Sequence, residues 1–376
     1  MKKKFCFIID SLSIGGAEKS LVTLLNLLDY DKYDVDLQLF AGGGEFERFL
    51  PKEVNVLPVI TCHSFLSRIV YSVALRLKKR THAGIARLYW KTIGHSLQKN
   101  PKQYDVAIGY GQCIPTFYVV DKISAKKKYA WVNCIFNLKE KELAYQKRFY
   151  ERLDGISIVS PEALEHFQGV YPEFAKKMHL IKDLYDGDMI ERMSCLKAEQ
   201  EINHALPVIM TAGRLNKSQK AYDLALQAAN ILRERGVKFR WYVIGEGPYR
   251  GEMENYISEH HLEDIFILLG ATPNPYAYMR QCDIYVQTSR FEGFGLTVAE
   301  ARILNRPIVC TNFDACHMQL IDGKNALIAS FEPSDIADKI ELLMNDKSLY
   351  NSIQQYQMAE KKGNTEEIEK FYNLID

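Results

Sequence analysis

Residues 289–312 read SRFEGFGLTVAEARILNRPIVCTN. Gly293 and Gly295 let the loop turn sharply and bring its backbone close to a ligand. The apolar spacing of Leu296, Val298, Ala299, Ile303 and Leu304 predicts a helix over about 296–304 with one face against a sheet. Pro307 ends the next turn and opens the strand Pro-Ile-Val-Cys. A glycine-rich turn feeding a helix N-terminus is a natural anion site, because free N–H groups and the helix dipole point the same way. Glu292 precedes that terminus and Glu300 lies about a turn inside it. Carboxylates do not hold phosphate, but they accept from hydroxyls. A sugar and a ribose on either side of a diphosphate present hydroxyls at that separation. The plainer alternative is an ordinary α/β turn, with Glu300 there because the dipole favours it.

A chain of 376 residues has room for two domains. With 47% hydrophobic and 25% charged residues, its composition is that of an ordinary globular protein. No apolar run approaches 18 residues, so no transmembrane helix is expected. MKKKFCFIID reads as a first strand rather than a signal peptide. The eight cysteines include no C-x-x-C pair, which points to reduced thiols in a cytosolic protein without a disulfide frame or zinc site. Charge is uneven. Residues 1–190 carry 28 Lys and Arg against 21 Asp and Glu, and the remainder 20 against 26, so the halves are expected to meet different partners.

The chain opens with a strand, a loop containing Gly15-Gly16 and a helix with Leu21, Leu24, Leu25 and Leu28 at helical spacing. The G-x-G-x-x-G fingerprint is absent, which argues against a nicotinamide enzyme. Further strands are predicted at 35–40, 54–59, 105–110, 129–133, 155–160 and 178–182, with helical patterns between several of them. Ser160-Pro161-Glu162 is a helix start. This alternation implies a parallel sheet covered on both faces.

One segment breaks the rhythm. No acidic residue lies between Glu53 and Asp105, yet Arg68, Arg76, Lys78, Lys79, Arg80, Arg87, Lys91, Lys99 and Lys102 all fall there, interleaved with Phe65, Leu66, Ile69, Val70, Tyr71, Tyr89 and Trp90. The pattern suits a basic amphipathic helix pair on an anionic membrane surface. The alternatives are helices packed on the sheet with a solvated basic face, and a nucleic-acid patch, for which no binding motif is present.

Residues 184–205 are polar and charged and read as the domain connection. Asp186-Gly187-Asp188 there reads as a turn rather than a metal site. Strands then recur at 207–213, 239–245, 264–270, 283–289 and 325–330, with helices over 221–235, 275–282 and from 334. The glycine turns (Gly15-Gly16, Gly213, Gly245–Gly247, Gly270, Gly293–Gly295) all fall at carboxyl ends of strands, where open parallel sheets bind ligands. They predict a cleft between two α/β halves. Arg214 and Lys220, in GRLNKSQKAYD, suit a diphosphate leaving group, Arg through paired hydrogen bonds and Lys as a point charge.

GRLNKSQKAYDLALQAA, WYVIGEGP, SRFEGFGLTVAEA with RPIVCTN, and the amino-terminal IDSLSIGGAEKSL resemble glycosyltransferase family 4. The likeness covers nearly the whole chain and is strongest over 207–330. It implies the GT-B fold, two Rossmann-like α/β domains facing across a cleft. Residues 1–185 would be the acceptor-side domain, with the basic insertion at about 63–100. Residues 186–360 would form the nucleotide-sugar domain, and 361–376 a helix returning to the first. It implies retaining, metal-independent transfer of a sugar from a nucleotide diphosphate donor, of the UDP class. The basic amphipathic segment adds the expectation of a lipid-linked or growing glycan acceptor in surface polysaccharide (capsule or exopolysaccharide) biosynthesis. The enzyme would be cytoplasmic and peripheral on the inner face of the plasma membrane, held there by basic residues 68–102, with no cofactor and no nucleic-acid partner. By motif position Arg214 and Lys220 would hold the diphosphate, Glu292 the donor-sugar hydroxyls and Glu300 the ribose. The amides of Phe294, Gly295, Leu296 and Thr297 would meet the phosphates, with Gly213 and Gly245 lining the site and Gly15 and Gly16 closing from the other domain. One departure stands out: where many members have histidine in a W-V-H context, this chain has Asn133 in YAWVNCIF. Asparagine orients a hydroxyl but carries no proton. Two rival readings follow, a catalytically silent nucleotide-sugar-binding subunit and a nucleotide-sugar epimerase of the same plan.

Overall fold

The computed structural model describes residues 2–77, 82–133 and 139–375. Lys78, Lys79 and Arg80 of the basic segment, and Cys134, lie outside the described residues, as does Asp376. The chain divides into two compact units, Met1–Leu184 with Thr365–Asp376, and Tyr185–Asn364.

The first unit contains β1 (Lys3–Ile9), α1 (Gly16–Leu27), β2 (Tyr33–Leu39), β3 (Asn55–Val56), α2 (Phe65–Leu77), α3 (His82–Thr92), β4 (Gln103–Gly109), α4 (Ile114–Lys122), β5 (Ser124–Val132), α5 (Glu140–Tyr150), β6 (Gly155–Ile158), α6 (Pro161–Val170) and β7 (Met178–Leu180). Its parallel sheet has the order β3-β2-β1-β4-β5-β6-β7. Both faces are covered, which is why β1, β4 and β5 read as apolar runs over Phe5–Ile9, Val106–Ile108 and Tyr129–Val132. In β1, Phe5, Phe7 and Ile9 enter one core layer and Cys6 and Ile8 the other. Ser160 caps α6 by accepting from the Ala163 amide, with Pro161 in the first turn. The strand expected over 54–59 shrinks to Asn55–Val56, because it lies at the sheet edge with one neighbour.

The second unit contains α7 (Gly187–Ser194), β8 (Val208–Ala212), α8 (Tyr222–Glu234), β9 (Arg240–Ile244), α9 (Arg250–Glu259), β10 (Phe266–Gly270), α10 (Tyr276–Met279), β11 (Ile284–Gln287), α11 (Leu296–Ile303), β12 (Ile308–Thr311), β13 (Leu327–Ala329), α12 (Pro333–Asn345) and α13 (Lys347–Ala359). Its parallel sheet runs β10-β9-β8-β11-β12-β13. The stretch read as a plain connection holds α7, whose Ile190 is buried in a core layer. The Asp186 read as part of a turn is that helix's cap, accepting from the Met189 amide at 3.2 Å.

The last helix, α14 (Ile368–Ile375), belongs to the first unit. Phe371 is fully buried against Phe5, Phe7 and Trp131. Tyr129 donates to the Leu374 carbonyl at 2.9 Å. Beneath α1, Asp183 is buried with Ser20, whose hydroxyl bonds that of Tyr110 at 2.8 Å. Burial lifts the Asp183 carboxyl from 3.8 to about 7, although Ser20 opposes the shift.

Two expectations follow. Phe371→Ala lowers the stability of the first unit by about 3–5 kcal/mol, the usual cost of emptying a buried aromatic site, measured by urea denaturation. Asp183 binds its proton more tightly folded than unfolded. Its contribution therefore favours the fold below the unfolded pKa and falls as pH rises between about 4 and 7, by at most about 1.4 kcal/mol per pH unit. Asp183→Asn flattens that part of the stability curve, and parallel curves for the two proteins would contradict it.

Candidate active site

In the second sheet the chain reverses its direction of growth between β8 and β11, which lie side by side. The loops leaving neighbouring carboxyl ends at such a point diverge and leave a crevice. The β8 loop carries Gly213, Arg214, Gln219 and Lys220, and the β11 loop carries Ser289, Arg290, Glu292, Phe294 and Gly295.

Backbone approach requires glycine here. A Cβ on Gly245, at the end of β9, would stand 1.9 Å from the Gly213 carbonyl oxygen. One on Gly213 would stand 3.0 Å from Lys220 Cε, so that glycine forms the floor under the lysine stem. Gly295 caps α11 at φ +84°, a left-handed conformation that L side chains adopt rarely. The α11 helix then presents the unsatisfied amides of its first turn. Gln319 braces the cap from below, donating to the Phe294 carbonyl at 2.7 Å.

Lys220 and Glu292 meet. Lys220 Nζ lies 2.6 Å from Glu292 Oε1, with the two side chains only 14% and 7% exposed. Ser289 Oγ and Gln287 Nε2 also donate to Oε1, the latter at 3.1 Å, and Gln219 Nε2 donates to Oε2 at 3.2 Å. Gln287 Oε1 in turn accepts from Tyr285 Oη at 2.9 Å and from Thr297 Oγ1 at 3.1 Å, tying the carboxylate to the first turn of α11. Arg290 staples the two loops, with its amide on the Gln219 carbonyl and its guanidinium paired to both oxygens of Asp223 at 2.9 and 2.8 Å.

Arg214 is exposed and makes no ion pair among the described residues. Glu300 is 2% exposed and accepts from Tyr276 Oη at 3.1 Å. Burial, then the carboxylate itself, pushes the Tyr276 hydroxyl well above its ordinary pKa, so it stays a donor. In the first unit, Gly15 and Gly16 open α1 at the carboxyl end of β1. Asn133 follows β5, and its Oδ1 is buried with no hydrogen-bond partner among the described residues. No group of three His, Cys, Asp or Glu able to hold a metal occurs among the described residues.

Sequence reading missed Gln219, Gln287, Ser289, Arg290 and Asp223. One signal was available for Gln287: it is a polar side chain inside the buried run Ile-Tyr-Val-Gln.

Residues 195–360 match the family described as glycosyl transferases group 1. The chain is 30% identical over 162 residues to the poly(ribitol-phosphate) alpha-N-acetylglucosaminyltransferase of Staphylococcus aureus, a match covering 42% of this chain and 33% of that protein. The first three curated relatives are each matched over 33–42% of their own length. Another relative aligns almost throughout. It is the N-acetylgalactosamine-N,N'-diacetylbacillosaminyl-diphospho-undecaprenol 4-alpha-N-acetylgalactosaminyltransferase of Campylobacter jejuni, 24% identical over 368 residues, covering 92% of this chain and 94% of that one. In fold the chain is similar to Anabaena HepE, crystallised with UDP and glucose, at a TM-score of 0.75 and 17% identity over 99% of this chain and 98% of that one. Two parallel sheets with their glycine-lined strand ends, the family match and this likeness agree: the second unit belongs to the glycosyl transferases group 1 family, and the chain has the GT-B fold.

Proposed function

We propose that the chain is a retaining glycosyltransferase that moves a sugar from a UDP-class nucleotide sugar onto a lipid-linked or growing glycan acceptor in surface polysaccharide biosynthesis. The observation that carries this reading is the shielded Lys220–Glu292 pair at the β8/β11 crevice, beside the glycine-capped start of α11. The names of the Staphylococcus and Campylobacter relatives support transfer of a sugar to a polymer or lipid-linked acceptor, and the UDP and glucose bound to HepE support the donor class.

The diphosphate lies on the Phe294–Thr297 amides, with Arg214 and Lys220 supplying positive charge as it departs. Glu292 takes donor-sugar hydroxyls, and Glu300, oriented by Tyr276, takes the ribose. In the transfer the bond from the anomeric carbon to the phosphate oxygen breaks and a bond to the acceptor oxygen forms. The acceptor's proton goes to the departing phosphate, because Asn133 cannot take it. Fixed cations and amides aimed at developing charge need no reorganisation during the reaction, and each is worth about 10²–10³ in rate. With two protein cations in that role, the reaction requires no metal.

The acceptor side faces an anionic membrane from the cytoplasm. Phe65 and Leu66 are 74% and 73% exposed, and Ile69, Val70 and Val73 extend the same apolar face of α2, flanked by Arg68 and Arg76. The helix pair divides here. In α3, Ala86 and Trp90 are buried in the core, so the apolar part of the membrane contact falls to α2. No helix among the described residues is long and apolar enough to cross a bilayer.

Incubated with a panel of UDP-sugars and EDTA but no acceptor, the protein releases UDP slowly from one donor. Lys220→Ala and Glu292→Ala each reduce that release by about 100-fold or more. UDP binding without release from any donor would favour the silent subunit. Sedimentation with phosphatidylglycerol vesicles at physiological salt tests the membrane contact. The wild type sediments, and Leu66→Glu with Val70→Glu, both on the exposed face, leaves the protein in the supernatant. A wild type that ignores such vesicles would overturn it.

A further inference from the structure

The two oxygens of Glu292 are unequally occupied. Oε1 accepts from Lys220, Ser289 and Gln287. A carboxylate oxygen offers about two lone pairs, so Oε1 has none left for a ligand. Among the described residues Oε2 accepts only from Gln219 Nε2, at 3.2 Å, and keeps one. A substrate hydroxyl that reaches Glu292 therefore does so at Oε2, beside the Gln219 amide.

Gln219 is fixed for such a task. Its backbone amide donates to Asn216 Oδ1 at 3.0 Å, and its carbonyl accepts from the Arg290 amide at 2.7 Å. Because Glu292 can only accept, the NH2 of the Gln219 side chain must face it. The side-chain carbonyl then points away and meets no donor among the described residues. One N–H of the amide is also unspent. Together the two side chains offer one carboxylate lone pair, one amide N–H and one amide carbonyl, all neutral in their demand for phosphate and matched to hydroxyls.

We propose that Gln219 is a specificity-determining residue for the donor, holding with Glu292 Oε2 a pair of neighbouring hydroxyls on its hexose. The inference rests on the nucleotide-sugar reading above. It explains why a glutamine follows the loop's Lys217-Ser218, where a surface turn has no need of one. A site built to bond hydroxyls at fixed positions rejects a sugar in which one of them is inverted or missing, since its own polar groups are then left unpaired.

The test uses the full chain and the Gln219→Met variant, which keeps length and removes every side-chain hydrogen bond at that position. UDP affinity is measured by calorimetry. Discrimination is the ratio of UDP release rates between epimeric donors, UDP-glucose against UDP-galactose and UDP-GlcNAc against UDP-GalNAc. The wild type prefers one epimer by tenfold or more. In the variant that ratio narrows by about tenfold, the worth of a hydrogen bond or two, while UDP affinity stays within twofold. An unchanged ratio with UDP affinity retained overturns the inference and leaves the nucleotide-sugar reading standing. Absence of epimer preference in the wild type, or equal loss of UDP affinity in the variant, also overturns it. A wild type that binds neither UDP nor any UDP-sugar overturns the functional reading itself.

Discussion

The Glu292 carboxylate is where the donor-side architecture converges. Four side chains from two loops and one strand donate to it, and it is nearly withdrawn from water. A shielded charge pair is held only if its remaining hydrogen-bonding capacity is met, because desolvation otherwise outweighs the attraction. Gln219, Gln287 and Ser289 meet all of it but one lone pair on Oε2. The donors come from sequence positions some 70 residues apart. They meet because β8 and β11 are adjacent strands at the point where the sheet changes its direction of growth.

That convergence sets the backbone below it. For Lys220 to lie flat over the β8 end, position 213 must lack a side chain, and for β9 to end against β8, position 245 must lack one as well. The Tyr222 hydroxyl accounts for the Gly213 carbonyl at 2.9 Å, so the close approach leaves no orphaned acceptor there. The glycines are thus consequences of how near three strand ends and one lysine come together. Their location at carboxyl ends follows from the parallel sheet, in which every connection leaves on the same side.

The sheets were legible because parallel strands buried on both faces leave apolar runs along most of their length, and because glycines mark the ends of several. The helix over Leu296–Ile303 was legible from its spacing and its glycine cap. The polar bracing was not. Gln219 and Gln287 act through partners about 70 and 5 residues away, and only the fold states that separation in space. The basic segment was legible as amphipathic but not as divided. The two helices look alike in composition, and burial alone separates α3, whose Trp90 bonds Asp121 at 3.0 Å, from the open face of α2. Asp186 misled for a related reason: an acid before a glycine suits a turn and a helix cap equally, and the apolar face that makes α7 a helix is a single turn long.

The two units differ in how much chemistry their side chains commit. In the second, the Glu292 cluster is paired, braced and largely withdrawn from solvent, while Arg214 stands exposed beside it. In the first, the residue that follows β5 is Asn133, which moves no proton, and its Oδ1 is left without a partner among the described residues. A buried acceptor with no donor is costly unless something supplies one. An acceptor hydroxyl is such a donor, and bonding to Asn133 would orient it without deprotonating it. In the transfer proposed above, the proton then leaves along the reaction coordinate, toward the oxygen that becomes basic as the glycosidic bond breaks, the departing phosphate. On that proposal an asparagine at position 133 is compatible with catalysis, with the base supplied by the donor instead of by the protein.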